Sequence, residues 1–214
     1  MSHSSVSQPE GKNIRFSQEG LAAFGFLATD FDCRHVPTSG SNVIRFETKG
    51  LFVEVNRSPG HDPSVYFLGI NLGRLKGSQE RPLDLIDLAR HAKPEASLSD
   101  LEKEAACRNF PASTPEQTRL SLQKLANLFK TYAKVILKGG GPSMFDKMVT
   151  ERKRWTAENA KRAHLEEVRM EAEAAFKKKD YAETAKLYES IRDDLLPSEF
   201  KKLKYAKKYL ERPS

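Results

Sequence analysis

The chain has 214 residues, a formal charge of +7, 38% hydrophobic residues and 30% charged residues. That length suits one domain with an appendage or two small domains, with apolar material for a core under a highly charged surface. No run of about 18 apolar residues occurs, which excludes a membrane-spanning helix by length, and two cysteines, Cys33 and Cys107, are too few for a disulfide framework.

The charge is unevenly spread. Residues 1–100 hold 11 Lys/Arg against 12 Asp/Glu, residues 101–150 hold 8 against 4, and residues 151–214 hold 17 against 13. The basic character therefore belongs to the second half, where it would attract an acidic protein or nucleic acid. Met1 to Gly11 is Ser-rich and lacks the apolar stretch of a secretory signal. Residues 1–13 are expected to be a disordered tail and the protein to be cytoplasmic.

Ser17 can cap a helix running to about Asp30, with Leu21, Phe24, Leu27 and Phe31 in one apolar stripe. Gly25 would allow that helix close to a sheet. The period then changes to two. Asn42–Thr48 and Leu51–Val55 alternate around a Lys49-Gly50 turn, which predicts a β-hairpin, and Ser64–Leu72 reads as a third strand. Cys33–Pro37 is a candidate short strand. Arg81–Arg90 and Ser99–Arg108 read as short helices. Thr114-Pro115-Glu116-Gln117 is a capping box opening a helix expected to end at Gly139, and Ser143 with Asp146 reads as a second one. A long helix to about Lys178 follows, with a potential break near Trp155. Helices from Tyr181 and from Pro197 close the chain, the last with the stripe Phe200, Leu203, Ala206 and Leu210.

The fold class is therefore α+β: a small antiparallel meander with one helix, followed by an all-helical half ending in a repeat-like hairpin. The expected organisation is a tail at 1–13, an α+β meander domain at 14–78, linking helices at 79–142 and a helical hairpin region at 143–214. A boundary is expected within Gly73 to Arg81.

Ala172, Ala175, Phe176, Asp180-Tyr181 and Tyr188 resemble a single tetratricopeptide repeat over roughly 30 residues. The sequence departs from that pattern at Lys179, where Gly is usual, and at Thr184, where Ala is usual. No second copy is present, so the resemblance implies one helical hairpin and not a solenoid. Phe24-Gly25-Phe26-Leu27, Val43–Val55, and Leu137-Lys138-Gly139 with Phe145 and Arg152 resemble small bacterial α+β proteins, some of them immunity proteins of toxin systems. That resemblance implies binding to one protein partner and carries over no functional residue.

Chemistry-bearing patterns are sparse. Cys33 and His35 lack the second pair that a zinc site needs. Gly139-Gly140-Gly141 follows a helix, unlike a phosphate-binding loop. Lys49–Val55 approximates the RNA-recognition octapeptide, with Phe52 as a base-stacking candidate, but the element order differs. His61-Asp62 has no second chemical group at recognisable spacing. No catalytic residue, metal or cofactor is expected. The expected function is protein binding, through Arg152, Arg154, Trp155, Lys161 and Arg162 against an acidic partner, because Trp and Arg dominate interface energetics. The alternative is nucleic-acid association through the basic helices.

Overall fold

The computed structural model describes residues 11–76 and 79–211, and the residues form two compact units, Met1–Thr150 and Glu151–Ser214. In the first unit α1 (Gly11–Ala23) and α2 (Phe26–Phe31) precede a five-stranded antiparallel meander in the order β1-β2-β3-β4-β5. The strands are Arg34–Val36, Val43–Thr48, Leu51–Pro59, Tyr66–Arg74 and Leu83–Asp84. Then come α3 (Leu85–Ala92), α4 (Leu98–Ala105) and α5 (Pro115–Val135). A wide turn at Ile136–Gly140 leads into α6 (Gly141–Lys177), which supplies its first turns to this unit and the rest to the second. The α+β class follows directly.

The hairpin forms where the alternation places it. Thr48 pairs with Leu51 around Lys49-Gly50, and Gly50 takes φ 89°, which this two-residue turn requires. Register with β3 then puts Ile44, Phe46, Leu51, Val53 and Val55 on one face, joined by Leu68, Ile70 and Leu72 of β4. These side chains are all but fully buried beneath α1 and α5. Phe24 and Phe129 meet there with centroids 6.4 Å apart. The opposite face is polar. Arg45 bridges Glu47 (2.9 Å) and Glu54 (2.8 Å), and its guanidinium lies 4.2 Å from the Phe52 centroid.

Several expectations are corrected. Ser17 lies inside α1 and does not cap it, and Gly11 to Asn13 already belong to this helix; residues 1–10 of the expected tail lie outside the described residues. The single opening helix is two, interrupted at Phe24-Gly25. Gly20, rather than Gly25, permits the close approach to the sheet: a Cβ there would fall 2.0 Å from Ile44 Cδ1, whereas at Gly25 it would meet only the Leu21 and Ala22 carbonyls at the end of α1. A fifth strand forms at Leu83–Asp84, inside the segment read as helix, and Asp84 then caps α3 by accepting from Asp87 N–H (2.9 Å). The Thr114 capping box is present, with Gln117 N–H donating to Thr114 Oγ1 at 3.2 Å. The Ser143 box is absent. Ser143 donates to Gly140 O (2.9 Å), and Asp146 instead takes Arg74 at 3.0 Å, tying the start of α6 to β4. No unit boundary falls within Gly73 to Arg81, of which Gly77 and Ser78 lie outside the described residues. One apolar cluster runs from Phe16 to Val149, so residues 14–78 and 79–142 share a core.

The second unit contains the remainder of α6 with α7 (Tyr181–Ser190) and α8 (Pro197–Leu210). α6 is continuous through Trp155. Its core is small: Val168, Ala172, Ala185, Tyr188, Ile191, Leu203 and Ala206. α6 ends in a Schellman turn, with Asp180 N–H donating to Ala175 O (3.0 Å) and Lys179 N–H to Phe176 O (3.0 Å). The turn requires a left-handed residue, and Lys179 adopts φ 62°. Asp180 then caps α7 by accepting from Glu183 N–H at 3.1 Å. Thr184 is fully buried, its hydroxyl donating to Asp180 O at 2.6 Å. Of the three aromatics expected to bury most of their rings, Tyr188 does so, while Phe176 and Tyr181 are only half-buried.

Two stability measurements test this unit. Tyr188→Ala should cost about 3 kcal/mol, seen as a lowered denaturation midpoint, because it empties the centre of a small core. Lys179→Gly should stabilise by about 1 kcal/mol, because a left-handed L-residue is strained and Gly is not. Lys179→Ala should leave the midpoint close to wild type, which separates backbone strain from lost charge.

Candidate protein-interaction surface

The five residues singled out from sequence lie on α6. Positions 154 and 161 are seven apart, as are 155 and 162, so each pair recurs within about 20° around the helix. Arg154, Lys161 and Arg162 are exposed, and Arg152 and Trp155 are half-buried. Arg154 Nε lies 3.5 Å from Glu158, one turn on, and Lys161 Nζ contacts Asp194 at 2.9 Å. The Arg154–Lys161 line continues into the Leu165, Val168 and Ala172 stripe that forms the core of the unit. Arg154 and Lys161 are thus both matched by acids of the same chain.

A more prominent surface lies on α8. Its expected apolar stripe is split: Leu203 and Ala206 are buried, whereas Phe200 and Leu210 are each 52% exposed. Leu196, Tyr205 and Tyr209 are similarly exposed. Tyr205 and Tyr209, four residues apart, meet Phe176 at the end of α6 and Tyr181 at the start of α7. Tyr181 contacts Tyr205 at 5.5 Å and Tyr209 at 4.3 Å between centroids, and Phe176 contacts Tyr181 and Tyr205 at 5.9 Å each.

Lysines frame this corner. Five of them and no acid lie between Phe200 and Leu210. Lys202 is bound to Glu173 and sits 5.6 Å from the Phe176 centroid, and Lys207 is bound to Glu189. Lys201, Lys204 and Lys208 form no ion pair among the described residues. With Tyr205 they occupy positions i, i+3, i+7 and i+4 and share one helix face. A cleft of about 520 Å³ between α6 and α8 adds Met170, Ala174 and Lys177 on one side and Ser198 and Lys202 on the other. Met170 is 70% exposed.

Sequence reading missed Tyr205, Tyr209 and the exposure of Phe200. The i, i+3, i+4, i+7 spacing of Lys201, Lys204, Tyr205 and Lys208 was available as a signal. It competed with the equally regular Phe200–Leu210 stripe, and only packing shows which face is inward.

The other sequence patterns acquire ordinary surroundings. His61 is exposed, and Asp62 accepts from Ser64 N–H (2.8 Å) and Oγ (2.7 Å), bonds that lower its carboxyl pKa. Phe52 lies on the outer sheet face with Arg45 over its ring and the ring over Gly73. Gly139 and Gly140 belong to the wide turn before α6. Among the described residues no group of three or more His, Cys, Asp and Glu is placed to hold a metal ion. Among the described residues no helix is long and apolar enough to cross a membrane. Comparison with protein-family models, characterised proteins and solved structures finds no match for this chain.

Lys202 donates to Glu173 and lowers its carboxyl pKa; the same bond raises the Lys202 ammonium. A carboxylate held below its ordinary value stabilises the fold fully above the unfolded-chain pKa, about 4.3. That contribution is lost as pH falls through the lower folded-state value. Glu173→Gln should therefore flatten the acid side of the stability curve, measured as melting temperature from about pH 7 down to about pH 3. An acid slope identical to wild type would show that the pair carries none of it.

Proposed function

We propose that the protein is an interaction module, of adaptor or immunity type, that holds one acidic protein partner on its C-terminal unit. The observation that carries this reading is α8: a 14-residue helix that leaves Phe200, Tyr205, Tyr209 and Leu210 about half exposed, as is Leu196 just before it. Clustered apolar exposure on one element of a small unit marks an interaction surface. The aromatics supply contact area, and the unpaired lysines beside them supply sign. Trp155 with Arg162 extends the same basic character along α6.

Nucleic acid is the second reading, favoured by the lysines alone. The aromatic corner argues against it. Its four rings meet at interplanar angles between 48° and 71° and form no parallel array open to successive bases. Single-strand binding needs free ring faces on which bases stack.

The test uses the full chain with partners captured in the presence and absence of nuclease. A partner that survives nuclease, dissociates with added salt and is lost in Phe200→Asp and Tyr205→Asp supports the reading. Rim charges act mainly on association, so Lys204→Glu with Lys208→Glu should slow binding about tenfold or more at low salt while leaving dissociation nearly unchanged. Capture abolished by nuclease, with a steep salt dependence on oligonucleotides, would replace this function with nucleic-acid binding. Trp155 is the single tryptophan, so its emission reports directly on whether partner binding reaches α6.

A further inference from the structure

The outer sheet face of the first unit carries a separate feature that the interaction reading does not use. β4 changes partner along its outer edge. β5 pairs with it at Asn71 and Leu72. Beyond that, Leu68 N–H donates to Phe110 O (2.8 Å) and Ala112 N–H donates to Tyr66 O (2.7 Å), so residues 110–112 take over as its neighbour. Gly69 and Ile70 fall in the gap between the two partners. A notch of about 260 Å³ opens there and reaches down to Leu125 of α5. Its walls are mostly apolar, with Leu68, Ile70, Ile86 and Phe110 among them, and Asp84 also lines it.

Two carboxamides stand at the notch. Asn56 on β3 faces Gly69 in the register, and Asn71 lies two residues along β4 on the same outer face. Gly69 is what gives Asn56 its position: a Cβ at 69 would fall 2.7 Å from Asn56 Oδ1. Both asparagines are half-buried, and neither side chain hydrogen-bonds within the protein among the described residues. A second cleft, of about 560 Å³, shares Asn56, Leu68 and Gly69 with the notch and adds His61 and Arg108. Arg108 is exposed and forms no ion pair among the described residues.

We propose that this groove binds a heterocycle of nucleobase size bearing an amide or lactam edge, its ring in the notch and that edge against Asn56 and Asn71. A carboxamide presents an acceptor and a donor side by side, the complement of an N–H beside a C=O on such a ring. Apolar walls with a few convergent polar groups are the general form of a small-molecule site. Hydrogen bonds made against those walls are stronger than bonds in open water. The heterocycle has two sources, a free base or nucleoside and a nucleotide. Arg108 and His61 in the adjoining cleft are placed on the side where a phosphate would add contacts.

The experiment titrates the four common ribonucleosides and their 5′-monophosphates into the isotope-labelled full chain and follows backbone amide resonances. Saturable shifts at Gly69, Ile70 and Phe110 are expected for at least one base, with a dissociation constant of about 1 mM or tighter. Asn56→Leu and Asn71→Leu should each weaken binding about tenfold or more. Asn56→Ser and Asn71→Ser serve the same purpose if a leucine variant loses its dispersed spectrum. Tighter binding of the monophosphate, reversed in Arg108→Ala, identifies a nucleotide. Equal affinity with and without phosphate identifies the base alone. No saturable shift up to about 5 mM, or shifts that persist in both asparagine variants, would overturn the proposal.

Discussion

A five-stranded meander with one apolar face has to be covered, and most of the first 150 residues are arranged by that requirement. The face comprises alternate residues of β2, β3 and β4, from Ile44 to Leu72, and fully burying one such side chain stabilises by about 1.5–3 kcal/mol. Two helices distant in sequence supply the cover. α1 lies so close to β2 that position 20 has no room for a Cβ. α5 brings Leu122, Leu125 and Phe129 over the same residues. A sheet this small is marginal unless packed on helices, which is why residues 79–142 belong to its core and do not act as a linker. Lys93 and Tyr132 converge on Glu104, with Lys93 Nζ at 2.8 Å, and fasten the α3–α4 segment to α5.

One-sided cover has a consequence for the other face. It is left to polar groups that satisfy one another, as Arg45 does with Glu47 and Glu54, and to aromatics laid over glycines, as Phe52 is over Gly73. Where β4 passes from one neighbour to the next, the apolar layer is briefly open to that face. The notch at Gly69 is a product of this change of partner, and no local pattern in the sequence marks it.

The second unit is held by fewer groups. Tyr188 packs with six other buried apolar residues, and ion pairs tie the helices around it: Arg169 with Glu199 at 3.0 Å, Lys202 with Glu173 and Lys207 with Glu189. Partly exposed pairs of this kind contribute little individually. Three helices around so small a core do not inter all their apolar side chains, and the excess appears on α8. The lysines that hold α8 to its neighbours are distinct from those that face outward, so the outward set can change affinity for a partner with little effect on the fold.

Local chemistry was legible in the sequence. Alternation around Lys49-Gly50 specified the hairpin and its inward residues, because a two-residue turn leaves one register. Thr114, Pro115 and Gln117 specified the start of α5, because capping is settled within four residues. The departure at Lys179 was visible as an unusual residue at a turn, and the structure gives it physical meaning as a strained left-handed lysine. The α+β class, the hairpin and the helical second half were therefore determined by sequence alone. Tertiary structure decided what depends on which surface meets which. Asp146 caps nothing because α6 already starts at Gly141, and its carboxylate takes Arg74, distant in sequence. Leu83–Asp84 is a strand only because β4 offers an edge. Phe200 and Leu210 share a periodic stripe with Leu203 and Ala206 but lie outside the core. Periodicity defines a helix face, whereas burial is a property of the neighbour that covers it.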